Sequence, residues 1–289
     1  MCRFTLYLGP ALPLSALLLE PDHSLIRQSA HSEERTEPLN GDGFGVGWYA
    51  PGISAEPGVF RSITPAWNNR NLASLSKVVT SSCVLAHVRA ASILSGVNEA
   101  NCHPFRFERH LFMHNGDVGG FRKVRRRLLD SVCDEAFDNI YGSTDSEHVF
   151  ALVIDELLRL PEGDPAQRLT TALSRALWRT VDLVREFGGG EPCYLNLALS
   201  DGEVAVVSRF TADSNWEPES LYLYRGHYPL RSLDGQPASG ETAQLVSSER
   251  LGQDPGWKAI PANHLVVLVR GREPLVLPCV RAVGTAQAA

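Results

Sequence analysis

Four short stretches carry residue types suited to acyl-transfer chemistry. The first is MCRF, with a cysteine at position 2. A structural cysteine packs inside a core as a small hydrophobe, a use that this position does not suggest. Removal of Met1 would give Cys2 a free α-amine beside its thiol. The amine titrates near about 7.7–8.0 and the thiol near about 8.5. An N-terminal nucleophile of this kind carries its own general base. The second stretch is CVLAHVRAA, residues 83–91. In a strand, Leu85, His87 and Arg89 share one face, opposite Val84, Ala86 and Val88. An arginine ending an apolar strand needs an anionic partner. A protein carboxylate would serve, and so would a substrate carboxylate gripped by two parallel hydrogen bonds.

The third stretch is FMHNGDVGG, residues 112–120. Asn115-Gly116 reads as a hairpin turn. It also offers a side-chain amide beside a flexible backbone N–H, two donors that can hold a tetrahedral oxyanion. The fourth is GSTDSEHVF, residues 142–150. Thr144 and Glu147 have the spacing of a capping box. Asp145 then either favours the helix dipole or binds a substrate ammonium group. Two other stretches carry less. GDGFGVG, residues 41–47, lacks the Lys-Ser/Thr of a phosphate loop and is followed by no helix. Its glycines mark close approach within a strand. Cys102, His103 and His114 match no metal-ligand spacing, so packing and hydrogen bonding account for them.

Strand-like runs position these residues. The first half holds 2–8, 43–49, 59–63, 83–90 and 110–116, and the second half 194–200, 203–210, 221–225, 244–248 and 264–270. Asp201-Gly202 marks a hairpin. Between the two sets, apolar spacing predicts an amphipathic helix over 144–160. A second helix runs over 165–187 and is ended by Gly188-Gly189-Gly190. Strands, then helices, then strands do not make alternating βαβ units. They fit an α+β domain of two packed antiparallel sheets with helices on the outer faces. One domain over 1–281 is expected, with a disordered tail over 282–289.

The 289 residues are 44% hydrophobic and carry a formal net charge of -6. That composition supports a sizeable core and argues against a general nucleic-acid binder. The basic run RKVRRRLL at 122–129 reads as a solvated helix face and a docking surface at most. Six scattered cysteines without C-x-x-C suggest a reducing cytoplasm rather than a disulfide scaffold. The apolar LPLSALLLEP lacks a signal-peptide cleavage site. No run approaches a membrane span.

The order Cys2, GDGFGVGWY, AHVRAA, CHPF, HNG, STDSE resembles the class II glutamine amidotransferase domain. The resemblance implies the four-layer αββα sandwich of the N-terminal nucleophile (Ntn) hydrolases. It implies Cys2 as nucleophile with its own amine as base, and Asn115 with the Gly116 N–H as oxyanion hole. Arg89 would hold a substrate α-carboxylate and Asp145 its α-ammonium, with His87 and His114 orienting neighbouring groups. No metal or organic cofactor is implied, and the chain shows no second synthase domain. MCRF, ITPAWNN and YGSTDSE resemble the stand-alone glutathione-degrading component, and SSERL…GWKAIP is shared by that group and the ergothioneine-pathway γ-glutamyl hydrolase group. ITPAWNN leans to the former. The expected activity is release of glutamate from a γ-glutamyl amide. The alternatives are a glutaminase subunit feeding a synthase and the ergothioneine-pathway hydrolase of γ-glutamyl-hercynylcysteine sulfoxide; a non-enzymatic adaptor is disfavoured. Trp67, Asn68, Asn69, Ser247, Ser248 and Trp257 are candidates for the leaving-group side. A metallopeptidase or synthase companion is implied by the resemblance alone.

Overall fold

The computed structural model describes residues 2–34, 37–91, 96–228 and 242–281. Met1, residues 35–36, 92–95 and 229–241, and the expected tail over 282–289 lie outside the described residues. The strands are β1 (Arg3–Pro13), β2 (Phe44–Trp48), β3 (Gly58–Ser62), β4 (Thr80–Val88), β5 (Phe105–Phe107), β6 (His110–Asp117), β7 (Tyr194–Ser200), β8 (Val204–Arg209), β9 (Tyr222–Gly226), β10 (Ala243–Ser247), β11 (Trp257–Ala259), β12 (His264–Val269) and β13 (Leu275–Pro278). The helices are α1 (Ser15–Leu18), α2 (Leu25–Ala30), α3 (Arg70–Leu75), α4 (Phe121–Leu129), α5 (Asp134–Asp138), α6 (Asp145–Arg159) and α7 (Pro165–Phe187).

They form two antiparallel sheets. One has the order β11-β9-β10-β1-β4-β2-β3 and the other β13-β12-β8-β7-β6-β5. Alternation along each strand assigns its side chains to layers. Phe4, Leu6 and Leu8 of β1, Leu85 of β4 and Leu111 and Met113 of β6 share the cluster between the sheets. Tyr7, Val84, Ala86 and Val88 face outward with residues of α1 and α2. On the far side, Phe112 of β6 and Leu195, Leu197 and Leu199 of β7 pack on α6 and α7. The four layers are unequal, because one outer layer holds only the short α1, α2 and α3. The long amphipathic patterns all lie between β6 and β7, so they cover the second sheet.

Local chemistry fixes the boundaries. Thr144 accepts the Glu147 N–H at 3.3 Å and starts α6. Glu147 does not close a capping box; its carboxylate reaches past the N-cap to the N–H groups of Tyr141 (2.8 Å) and Gly142 (2.6 Å). Asp164 caps α7, with Pro165 in its first turn. Asp201 Oδ1 takes the N–H groups of Glu203 and Val204 at 3.0 and 2.8 Å, closing the β7–β8 turn. Asn115-Gly116, which could have been a turn, lies inside β6, with Asn115 opposite Asn196 of β7.

Glycines of β2 decide how the next segment packs. Gly45 and Gly47 face the other sheet, opposite His87 and Leu85 of β4. A Cβ on Gly45 would lie 2.1 Å from the His103 carbonyl oxygen, and one on Gly47 2.9 Å from Pro104. The Cys102–Phe105 chain therefore lies flat across the sheet and brings the His103 ring against His87, centroids 4.2 Å apart. His87 Nε2–H donates to the His114 carbonyl of β6 at 3.2 Å, a polar tie between the sheets.

Two outcomes follow from this packing. Gly45→Ala forces backbone against backbone and should cost about 1–3 kcal/mol, measurable as a lower urea midpoint. Burial pushes the His87 imidazole down to about 3 and His103 well below its ordinary value. Below about pH 6.5 the unfolded chain binds protons that these folded rings refuse, so stability falls as pH falls. Each ring contributes up to about 1.4 kcal/mol per pH unit. The carboxyls of Asp117 and Glu147, pushed up chiefly by burial, titrate with the opposite sign and offset part of this. Urea midpoints at pH 7 and pH 5 should differ accordingly, and the difference should shrink in His103→Phe.

Candidate active site

β1 and β4 pair with Arg3 opposite Val88, which sets Cys2 beside the chain at Arg89. Continuing the alternation of β1, Cys2 falls on the face of Phe4 and Leu6, toward the second sheet. Its thiol is part-exposed and lies 3.6 Å from the Ala90 carbonyl oxygen. Arg89 is buried just beyond the end of β4. Its N–H donates to Gly43 O at 2.8 Å and its carbonyl accepts from Asp42 N–H at 3.0 Å. The guanidinium reaches the carbonyls of Gly96 (3.3 Å) and Asp42 (3.5 Å). Asp42 also holds the Ala91 N–H at 2.8 Å through its carboxylate. The GDG turn thus clamps the arginine end of β4.

β6 supplies the opposite wall and runs close to β1 and β4. Leu111 and Met113 face the first sheet, so Asn115 faces it too. Its side chain is 0% exposed, yet neither Oδ1 nor Nδ2 has a hydrogen-bond partner among the described residues. A buried, unpaired amide costs about 1–3 kcal/mol. Asn115 lies on the side of β6 that faces the first sheet, and Cys2 turns toward that side. Gly116 is required by contact, since a Cβ there would lie 1.8 Å from the Tyr194 carbonyl oxygen.

Asp145 does more than favour a helix dipole. Its Oδ2 accepts the Val118 N–H at 2.9 Å and its Oδ1 the Ser146 N–H at 2.8 Å, tying α6 to the end of β6. It lines a cleft of about 410 Å³ with Asp117, Arg122, Arg125 and Glu191 among its walls. Asp117 was not singled out by sequence, although it follows HNG directly. The basic face of α4 is partly occupied: Lys123 pairs with Glu191 and Arg126 with Asp130, both at 3.1 Å.

Other expected site residues are placed elsewhere. The His114 ring points to the helix side of β6. Its Nε2 faces the Tyr194 carbonyl at 3.0 Å and so carries the proton, and Nδ1 meets the Ser146 hydroxyl at 2.9 Å. It props α6 against the end of β6. Trp257 is 9% exposed and packs on Tyr224, centroids 5.2 Å apart, in the outer core. Ser247 bonds Thr5 at 2.8 Å, and Ser248 takes the Phe4 N–H at 3.0 Å. These three hold β9, β10 and β1 together, because the alternation of short buried strands directs them inward from the surface. Asn69 caps α3 by accepting the Leu72 N–H at 2.8 Å. Trp67 stays 43% exposed, and its ring covers Gly41, next to Asp42 and the Arg89 clamp. Among the described residues, no group of three or more His, Cys, Asp or Glu is placed to hold a metal ion, and no helix is long and apolar enough to cross a membrane.

The chain is 38% identical over 296 residues to the probable glutamine amidotransferase DUG3 of Saccharomyces cerevisiae, covering 93% of this chain and 82% of that protein. It is 29% identical over 267 residues to the γ-glutamyl-hercynylcysteine sulfoxide hydrolase of Mycobacterium tuberculosis, covering 92% of each. Among solved structures, a glutamine aminotransferase class-II domain protein from Silicibacter pomeroyi superposes with a TM-score of 0.66 at 27% identity, covering 96% of this chain and all of the other. Glutamine phosphoribosylpyrophosphate amidotransferase from B. subtilis shares the fold, with a TM-score of 0.60 at 13% identity; the match covers 97% of this chain and 49% of that one. The profile of the class-II glutamine amidotransferases matches residues 26–287, and the chain belongs to that family.

Proposed function

We propose that the protein is a cysteine-nucleophile hydrolase that releases glutamate from a γ-glutamyl amide of the glutathione type. The observation that carries this is the buried, unpartnered Asn115 amide facing the same side of the sheets as Cys2. In an antiparallel strand, alternate residues turn their N–H and C=O groups to the same edge. The His114 carbonyl meets His87 at its edge, so the Gly116 N–H, two residues on, points the same way. Asn115 Nδ2 and Gly116 N then form a two-donor oxyanion hole.

Once Met1 is removed, the Cys2 amine takes the thiol proton and the thiolate attacks the γ-carbonyl carbon. The oxyanion rests on Asn115 and Gly116. The protonated amine returns its proton to the leaving nitrogen as the C–N bond breaks, leaving a γ-glutamyl thioester. Water, deprotonated by the same amine, attacks the thioester; the C–S bond breaks and glutamate leaves. Arg89 holds the α-carboxylate, and Asp145 with Asp117 holds the α-ammonium. The leaving group lies toward Trp67. Glutathione would release a dipeptide, whose further cleavage calls for a peptidase companion. The M. tuberculosis relative, by its name, also hydrolyses a γ-glutamyl derivative of a cysteine, in that case a sulfoxide. Reaction in the reducing cytoplasm suits such substrates. If glutamine is preferred instead, the protein is an ammonia-supplying subunit for a synthase.

The test is glutamate release from glutathione and glutamine at equal concentration by Met1-processed protein. Glutathione should be preferred, Cys2→Ala should be inactive, and Asn115→Ala should lower kcat by roughly 10²–10³. Cys2→Ala with full activity would overturn the mechanism, as would full activity in protein whose intact mass retains Met1. Trp67→Ala should raise KM for glutathione more than for glutamine, measured by initial rates, because only the larger leaving group reaches the indole.

A further inference from the structure

Arg3 is fully buried, yet it lies beside the candidate nucleophile rather than in a saline surface pair. The alternation of β1 puts it with Thr5 and Tyr7, on the face away from the second sheet, behind Cys2. Its Nε donates to Glu249 Oε1 at 2.8 Å and to Ser32 Oγ at 3.0 Å. Its second arm donates to the Cys2 carbonyl at 3.0 Å and to Glu219 Oε2 at 3.2 Å. Glu249 is buried as well and has further partners. Oε2 meets His23 Nε2 at 2.6 Å and the Glu33 N–H at 2.9 Å, and Oε1 takes the Ser32 hydroxyl.

A buried ion pair is weak evidence for stability, since apolar residues of similar volume often serve as well. What this pair does that an apolar pair could not is grip one peptide carbonyl. Cys2 precedes the first ladder residue of β1, and chain ends fray unless tied down. Holding its carbonyl sets the rotation about the Cα–C bond of the residue, and with it the directions of Sγ and the α-nitrogen. The grip is rigid because a planar guanidinium spans two acceptors in a fixed fork. It is anchored at a distance as well: Glu219 is fixed through its carbonyl by Asn196 of β7, at 3.0 Å, beside Asn115 in the other sheet.

We propose that Arg3, fixed by Glu249, is a positioning residue that aims the Cys2 thiol and amine at the substrate carbonyl. The proposal rests on the reading of Cys2 as nucleophile. Arg3→Met removes the grip, and Arg3→Lys keeps the charge and the pairing with Glu249 but cannot span Glu249 and the Cys2 carbonyl together. Both variants would be compared with the wild type in three measurements: kcat and KM for glutamate release, the folded fraction from thermal unfolding, and the rate of Cys2 alkylation by iodoacetamide read by peptide mapping. Per folded molecule, kcat should fall by roughly 10- to 100-fold in Arg3→Met, with a smaller fall in Arg3→Lys. KM should stay within about threefold, since the substrate anchors are untouched, and alkylation should slow alongside kcat. Wild-type kcat and alkylation per folded molecule would overturn the proposal, as would a loss confined to KM. If Arg3→Met does not fold, Arg3→Lys carries the same comparison. Absence of glutamate release by the wild type would sink the functional reading, while the alkylation arm would still decide whether Arg3 aims Cys2.

Discussion

The pairing of β1 with β4, with Arg3 opposite Val88, is the constraint on which the rest of the site depends. β1 lies between β10 and β4, so its register is held from both sides. Because side chains alternate, a slip of one residue would exchange every inward and outward group on the strand. Cys2 would then face the outer helices, and Arg3 would point between the sheets. The apolar pattern of Phe4, Leu6 and Leu8 against Leu85 makes such a slip costly. The same packing that forms the core between the sheets therefore also sets which way Cys2 faces.

The second requirement is that the sheets meet at one end through polar groups rather than apolar ones. His87 of β4 bonds the His114 carbonyl of β6, and His103 stacks on His87. Asn115 sits alongside with no partner among the described residues. Each such group opposes folding, through desolvation or an unmade hydrogen bond. The apolar clusters on both faces of each sheet offset this cost. Local rules are broken here and kept elsewhere, which is the pattern expected of a site built for a ligand.

The layers on the two sides of the molecule do different work. α6 and α7 cover the second sheet with long apolar stripes, and the N-terminus of α6 brings Asp145 to the end of β6. On the other side α1, α2 and α3 are short, and loops and single side chains take over. Trp67 covers Gly41, Asp42 clamps the Arg89 segment, and Glu249 gathers the backbone of 33–34. Specificity for a leaving group is more readily altered in such loops than in the helix-backed sheet, because few ladder bonds constrain them.

Much of this was legible in the sequence. The strands of 194–200 and 264–270, the Asp201-Gly202 turn and the 165–187 helix follow from period, turn chemistry and capping, all of which act over a few residues. The motif order gave the family and the identities of Cys2, Arg89, Asn115, Gly116 and Asp145 as candidates. β5, β11 and β13 were missed, since three or four residues at the edge of a sheet carry no period. The facing of side chains was missed too. Nothing local to Trp257, Ser247 or Ser248 says that neighbouring strands bury them, and nothing local to His114 says that its ring turns to α6. The Arg3–Glu249 pair joins residues 246 positions apart. The sequence by itself determined which elements form and which residue types stand near their ends, because those depend on short-range chemistry. Only the tertiary structure decided which groups meet, because that depends on register and on two sheets packing face to face.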